Sequence, residues 1–101
     1  MDVKIFQTKN GKEPFIDWLE KIKDKFAQTR IRQRIRRIEL GSLGDCRSLG
    51  KGFYEMKIDF GPGYRVYFTQ KNQTITLLSG GIKKTQSKDI IKVKKQFYEK
   101  F

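Results

Sequence analysis

At 101 residues the chain is long enough for one domain, spanning 1–101, and too short for two. It holds no histidine and one cysteine, which excludes histidine acid–base pairs, Ser-His-Asp triads, zinc clusters and an internal disulfide. Its 23 lysines and arginines against 11 aspartates and glutamates leave a formal charge of +12, and such a field on a small domain suits nucleic acid or an acidic protein.

The charge is uneven. Within residues 1–24, Lys4, Lys9, Lys12, Lys21 and Lys23 are cancelled by Asp2, Glu13, Asp17, Glu20 and Asp24, so the whole excess follows residue 24. The opening "MDVKIFQTKN" lacks an apolar run of signal-peptide length, and no segment is apolar enough to span a bilayer. With Cys46 as a lone thiol, a cytoplasmic location is expected.

In chain order, "VKIF" at 3–6 reads as a short strand and Asn10-Gly11 as a turn. Pro14 fits a first helical position, and Phe15, Trp18, Leu19, Ile22 and Phe26 follow as one helical stripe. "KDK" at 23–25 breaks it, with Asp24 as N-cap of a second helix. That helix carries Ala27, Ile31, Ile35 and Ile38 on one face and ends at Gly41. Its remaining faces hold Arg30, Arg32, Arg34, Arg36 and Arg37, which suit RNA or simply a solvated surface. "GSLGDC" at 41–46 reads as a loop.

The period then changes to two. Tyr54, Met56, Ile58 and Phe60 point one way, and Phe53, Glu55, Lys57 and Asp59 the other. After the turn Gly61-Pro62-Gly63, Tyr64, Val66 and Phe68 continue the apolar face, and Arg65, Tyr67 and Thr69 the polar, exposed one. Two registers are open: Asp59 opposite Arg65, or Lys57 opposite Arg65 with an anion needed between the two cations. "TITLLSGG" at 74–81 is apolar enough for the inside of a sheet, and Gly80-Gly81 suits the end of a strand better than a phosphate cradle. "TQSKD" opens a last helix, capped by Thr85 or Ser87, with Ile90, Val93, Phe97 and Phe101 as its buried stripe. The pattern is α+β: a mostly antiparallel sheet of four to five strands covered on one face, with two N-terminal helices and one C-terminal helix.

No Gly-x-x-x-x-Gly-Lys-[Ser/Thr] occurs, so a P-loop is excluded. What remains for chemistry is Lys, Arg and Tyr. Arginine grips a phosphate and stabilises the extra charge of its transition state, a crowded lysine can take a proton from a ribose 2′-OH, and an exposed aromatic can stack on an unpaired base.

"GFYEMKIDFGPGYRVYF" at 52–68, "GG-x-K-x-x-Q-x-x-DI" at 80–90 and "PF-x-x-WL" at 14–19 resemble the phage-derived addiction-module killer proteins, HigB-like toxins of the RelE superfamily. The resemblance covers nearly the whole chain. It implies a RelE-like fold with a curved sheet, an endoribonuclease that cleaves mRNA on the ribosome, no cofactor or metal, and silencing by a cognate helix-turn-helix antitoxin. It implies Arg65 as the phosphate-stabilising arginine, with Lys57 on the adjacent strand and Lys83 at the end of the last strand as its catalytic companions. Arg47, Lys51, Tyr67 and Lys84 are the expected RNA contacts. Relatives that use His or a C-terminal Tyr as acid or base have no counterpart here, and the acid and base stay open. The alternative is a non-catalytic basic nucleic-acid-binding module, or a degenerate toxin acting only with its antitoxin in operon regulation.

Overall fold

The computed structural model describes residues 1–100. Strand β1 (Asp2–Ile5) is followed by helices α1 (Pro14–Lys21) and α2 (Lys25–Glu39). Then come β2 (Cys46–Gly50), β3 (Phe53–Ile58), β4 (Tyr64–Lys71) and β5 (Thr74–Ile82). A single 3₁₀ turn, Lys83–Thr85, leads into α3 (Gln86–Lys100). The fold is α+β, with one five-stranded sheet in the order β1-β5-β4-β3-β2. The sheet is mixed, because β1 runs parallel to β5 while the other neighbours are antiparallel. The first two helices do not precede the sheet. They connect one edge strand, β1, to the other, β2.

The local signals act as their chemistry requires. Pro14 occupies the first turn of α1, where no backbone N–H is needed. Asp24 caps α2, its Oδ1 accepting from the N–H of Phe26 (2.9 Å) and of Ala27 (3.3 Å). Phe15 and Leu19 of α1 and Ala27, Ile31 and Ile38 of α2 pack on Met56, Ile58, Val66, Phe68 and Leu77. Phe26 does not join this stripe. It follows the break between the helices and stands 78% exposed.

The sheet is covered on both faces, not one. Phe6, Phe53, Tyr67, Leu78 and Val93 form a second core, with Ile90 and Phe97 of α3 packed against it. The expected open face of the β3–β4 hairpin is therefore largely roofed by α3. Phe101 lies outside the described residues. Cys46, read as loop, begins β2, whose "CRSLG" carries no apolar alternation. The glycines at the end of β5 are packing requirements. A Cβ on Gly80 would run into the Trp18 ring, and one on Gly81 into the Asp89 carboxylate, so neither glycine leaves room for a phosphate. Among the described residues, no helix is long and apolar enough to cross a membrane.

Candidate nucleic-acid site

The hairpin takes the register that sets Lys57 opposite Arg65 and Ile58 opposite Tyr64. The Asp59–Arg65 cross-strand pair does not form. Two cations stand opposite each other, and the chain itself supplies a carboxylate partner for one of them, Arg65. Glu55, two residues before Lys57 on the same face, is 3% exposed, and its Oε1 lies 3.7 Å from Arg65 Nε. Arg47, opposite Glu55 on β2, donates from Nε to the same oxygen at 3.1 Å. Gln86, the first residue of α3, donates from Nε2 to Glu55 Oε2 at 2.6 Å. One carboxylate thus ties β2, β3, β4 and α3 together.

Arg65 is 5% exposed rather than a surface residue. Its Nη1 donates to the Tyr64 carbonyl at 3.3 Å, and its Nε, though near Glu55, makes no hydrogen bond. Burial of such a pair is tolerable because each charge has a partner: Glu55 is held also by Arg47 and Gln86, whereas removing Glu55 would strand Arg65. Lys57, in contrast, is exposed, and the fold holds its backbone from both sides. Its N–H donates to the Asp45 carbonyl (2.9 Å), and its carbonyl accepts from Arg34 Nη1 (2.7 Å). Arg34 also donates from Nη2 to the Leu43 carbonyl (3.4 Å), so this arginine anchors the hairpin instead of presenting itself to a ligand. Arg30 likewise lies over the Phe60 ring, 4.6 Å from its centroid.

These side chains enclose a cleft of ≈ 280 Å³ lined by Asp45, Arg47, Glu55, Lys57, Arg65 and Gln86. It opens where α3 begins and no longer covers the sheet. Of the expected site residues, Lys57, Arg65 and Arg47 meet here. Lys83 is adjacent by another route. It is exposed in the 3₁₀ turn, its N–H donates to the Gly63 carbonyl (2.7 Å), and a Cβ on Gly63 would sit 3.3 Å from Lys83 Cβ and 3.4 Å from Arg65 Nη1. Lys84 is exposed in the same turn. Lys51 is elsewhere, in the β2–β3 turn at the far end of the hairpin.

Tyr67 cannot stack on a base. It is 1% exposed, inside the core under α3, and its hydroxyl makes no hydrogen bond. Burial, with lesser help from Glu55 and Asp89, pushes its pKa far above the usual phenol value. The residues that sequence reasoning did not assign to the site are Glu55 and Gln86. Glu55 was visible in the sequence as one of two acidic residues, with Asp59, on the face that carries Lys57 and Arg65. Gln86 carried no signal, because its position depends on how α3 lands on the sheet. Among the described residues, no group of three or more His, Cys, Asp or Glu could hold a metal ion.

A small open cleft lined by Lys57, Arg47 and Arg65 matches a phosphodiester in charge, and the Glu55 carboxylate held by the two arginines stands in it as a proton acceptor. No family model matches the chain. It is 44% identical over 81 residues to an uncharacterized protein of Haemophilus influenzae, a match spanning 79% of this chain and 82% of that protein.

Proposed function

We propose, for a chain that belongs to one family with this Haemophilus influenzae protein, the function of a metal-independent endoribonuclease. On this reading it has a RelE-like fold and is the toxin of a type II toxin–antitoxin pair. It acts in the cytoplasm on mRNA engaged with the ribosome, and a helix-turn-helix antitoxin silences it. The observation that carries the reading is the Glu55–Arg65 pair opening into a cleft beside Lys57 and Arg47.

The chemistry balances with these side chains alone. The Glu55 carboxylate takes the proton of a ribose 2′-OH. The 2′ oxygen bonds to the adjacent phosphorus, and the bond from phosphorus to the 5′ oxygen of the next nucleotide breaks. Arg65 and Lys57 stabilise the charge that builds on the phosphoryl oxygens. The Lys57 ammonium gives a proton to the departing oxygen, and solvent returns the proton from Glu55 to Lys57. The products are a 2′,3′-cyclic phosphate and a 5′-hydroxyl. Arg47, exposed to solvent, positions Glu55 and meets the incoming strand, and Lys83 and Lys84 extend the positive surface beside Arg65.

One observation favours a second reading, a basic nucleic-acid-binding module that works with its antitoxin in operon regulation. Both Glu55 oxygens are already engaged, by Arg47 and by Gln86, as in a structural ion pair. Induced expression separates the two. The nuclease reading expects growth arrest and mRNA fragments ending in 2′,3′-cyclic phosphates. Intact mRNA during expression of folded protein sinks it and leaves the binding module.

A further inference from the structure

Lys51, one of the expected RNA contacts, lines a different and larger cavity. This cavity, ≈ 820 Å³, lies on the same face of the sheet at its other end, between the strand termini and the last turns of α3. From Lys57 to Phe53 along β3 the separation is four residues, roughly 13 Å of extended chain. Aromatic rings form its apolar part. Phe53 packs edge-on against Phe97 (5.3 Å) and Tyr98 (5.7 Å), and Phe6 lies against Phe97 (5.8 Å). Tyr98 is 54% exposed and is the ring a ligand meets first.

Lys4, Lys51 and Lys71, all exposed, rim the cavity, and no Asp or Glu lines it among the described residues. Gln70 and Asn72 also line it, with threonine hydroxyls beside them, so hydrogen-bond donors and acceptors stand together. Two non-glycine residues have a left-handed backbone, Lys51 (φ 53°) and Asn72 (φ 56°), and both are in this rim. Asparagine tolerates that conformation. Lysine does so at a cost, here between Gly50 and Gly52, where a third glycine would relieve it. The strained turn sets Lys51 in the rim of the cavity.

We propose that this cavity binds an unpaired nucleobase and its adjoining phosphate, with the exposed Tyr98 ring stacking on the base, the buried Phe53 packed edge-on behind it, and Lys4, Lys51 and Lys71 on the phosphate. A flat π-face and a phosphate together match an aromatic wall with a cationic rim. An acidic peptide would satisfy the lysines, and its backbone the amides of Gln70 and Asn72, but it brings a flat π-face to Tyr98 only where it carries an aromatic residue, whereas every base has one. The ligand comes either from a single-stranded RNA that also reaches the cleft or from a free nucleotide. The first source rests on the nuclease reading, and the chemistry of the cavity does not.

The test uses the full chain and a fluorescent 2′-O-methyl tetranucleotide, which cannot be cleaved at its 2′ position, with AMP and UMP as competitors. Tyr98→Leu should weaken tetranucleotide binding roughly tenfold, and Tyr98→Phe should restore it. Lys71→Ala should weaken binding and flatten its salt dependence. Lys57→Ala serves as the cleft control and leaves these effects of Tyr98 and Lys71 in place. A tetranucleotide that binds tighter than AMP and UMP indicates a strand; equal affinities indicate a free nucleotide. If RNA is never cleaved but Tyr98 and Lys71 still govern binding, only the nuclease reading fails. Wild-type affinity in Tyr98→Leu and Lys71→Ala overturns the site, as does preference for an acidic phenylalanine-containing peptide over every nucleotide probe.

Discussion

The two faces of the sheet grow from one alternating pattern and become different materials. Under α1 and α2, Phe15, Ile31, Met56, Val66 and Phe68 close a face of aliphatic and aromatic side chains. Its main polar guest is Gln28, whose Nε2 donates to the Leu19 carbonyl (3.0 Å) and the Ile22 carbonyl (2.8 Å), tying the two helices together. Under α3, Phe6, Phe53, Leu78 and Val93 share the interior with Glu55, Arg65 and Tyr67. An apolar face asks only for volume and shape. A face with buried charge asks for specific partners, and where the covering helix starts late those partners remain within reach of a ligand.

Substitutions should tell the faces apart. The largest effect on stability belongs to the first: Phe68→Ala, fully buried, should cost about 3–5 kcal/mol in chemical denaturation. RNA cleavage per folded molecule should be unchanged. On the second face, Arg65→Ala should cost about 1–2 kcal/mol, because Glu55 loses a buried charge partner while keeping Arg47 and Gln86, and it should also lower cleavage roughly a hundredfold or more. Arg65→Lys should keep the charge, lose the planar fork and recover neither property fully. An Arg65→Ala protein as stable as the parent would mean that the buried pair is not part of the fold, and the contrast between the faces would collapse. Lys57→Ala sharpens it further. This side chain is exposed, so stability should move by no more than about 0.5 kcal/mol, while cleavage falls by about as much as in Arg65→Ala. Full cleavage in Lys57→Ala would remove the lysine from the mechanism.

Much of this contrast was readable from the sequence, up to the point where covering elements enter. Period-two spacing placed Glu55, Lys57, Arg65 and Tyr67 on one face, and they share it. Spacing says nothing of what lies above a face, so Tyr67 and Arg65 read as exposed when α3, arriving from beyond β5, buries them. The register opposing Lys57 and Arg65 was one of two that the Gly-Pro-Gly turn allowed, and the need for an anion between the cations was clear. That Glu55 instead pairs with Arg65 and Arg47, leaving Lys57 exposed, depends on side-chain reach, which no periodicity encodes. β2 escaped notice because an edge strand with Arg47, Ser48 and Gly50 has no apolar alternation to show. Phe26 misled in the opposite direction, since an aromatic at helical spacing reads as core until the chain breaks before it.

The smallest effect tests the second face at its least visible point. The Tyr67 hydroxyl is buried without a hydrogen bond, so Tyr67→Phe removes a group that the fold leaves unpartnered. Near neutral pH the substitution should change stability by no more than about 1 kcal/mol in either direction. Above pH 10 the two proteins should diverge. In the unfolded chain the phenol ionises near its ordinary value of 10.0, whereas in the folded protein burial holds it protonated to much higher pH. The unfolded state then binds fewer protons than the native state, so this tyrosine's contribution to stability, intact below pH 10, is lost as pH rises toward the raised value. A single group supports a slope of at most about 1.4 kcal/mol per pH unit. Lysines and the other tyrosines titrate in the same range, so the quantity to measure is the difference between parent and Tyr67→Phe in urea denaturation from pH 9 to 11. The Tyr67→Phe protein should lose less stability than the parent across that window. Parallel pH profiles would mean that the phenol ionises as freely folded as unfolded, and that α3 does not seal this part of the sheet.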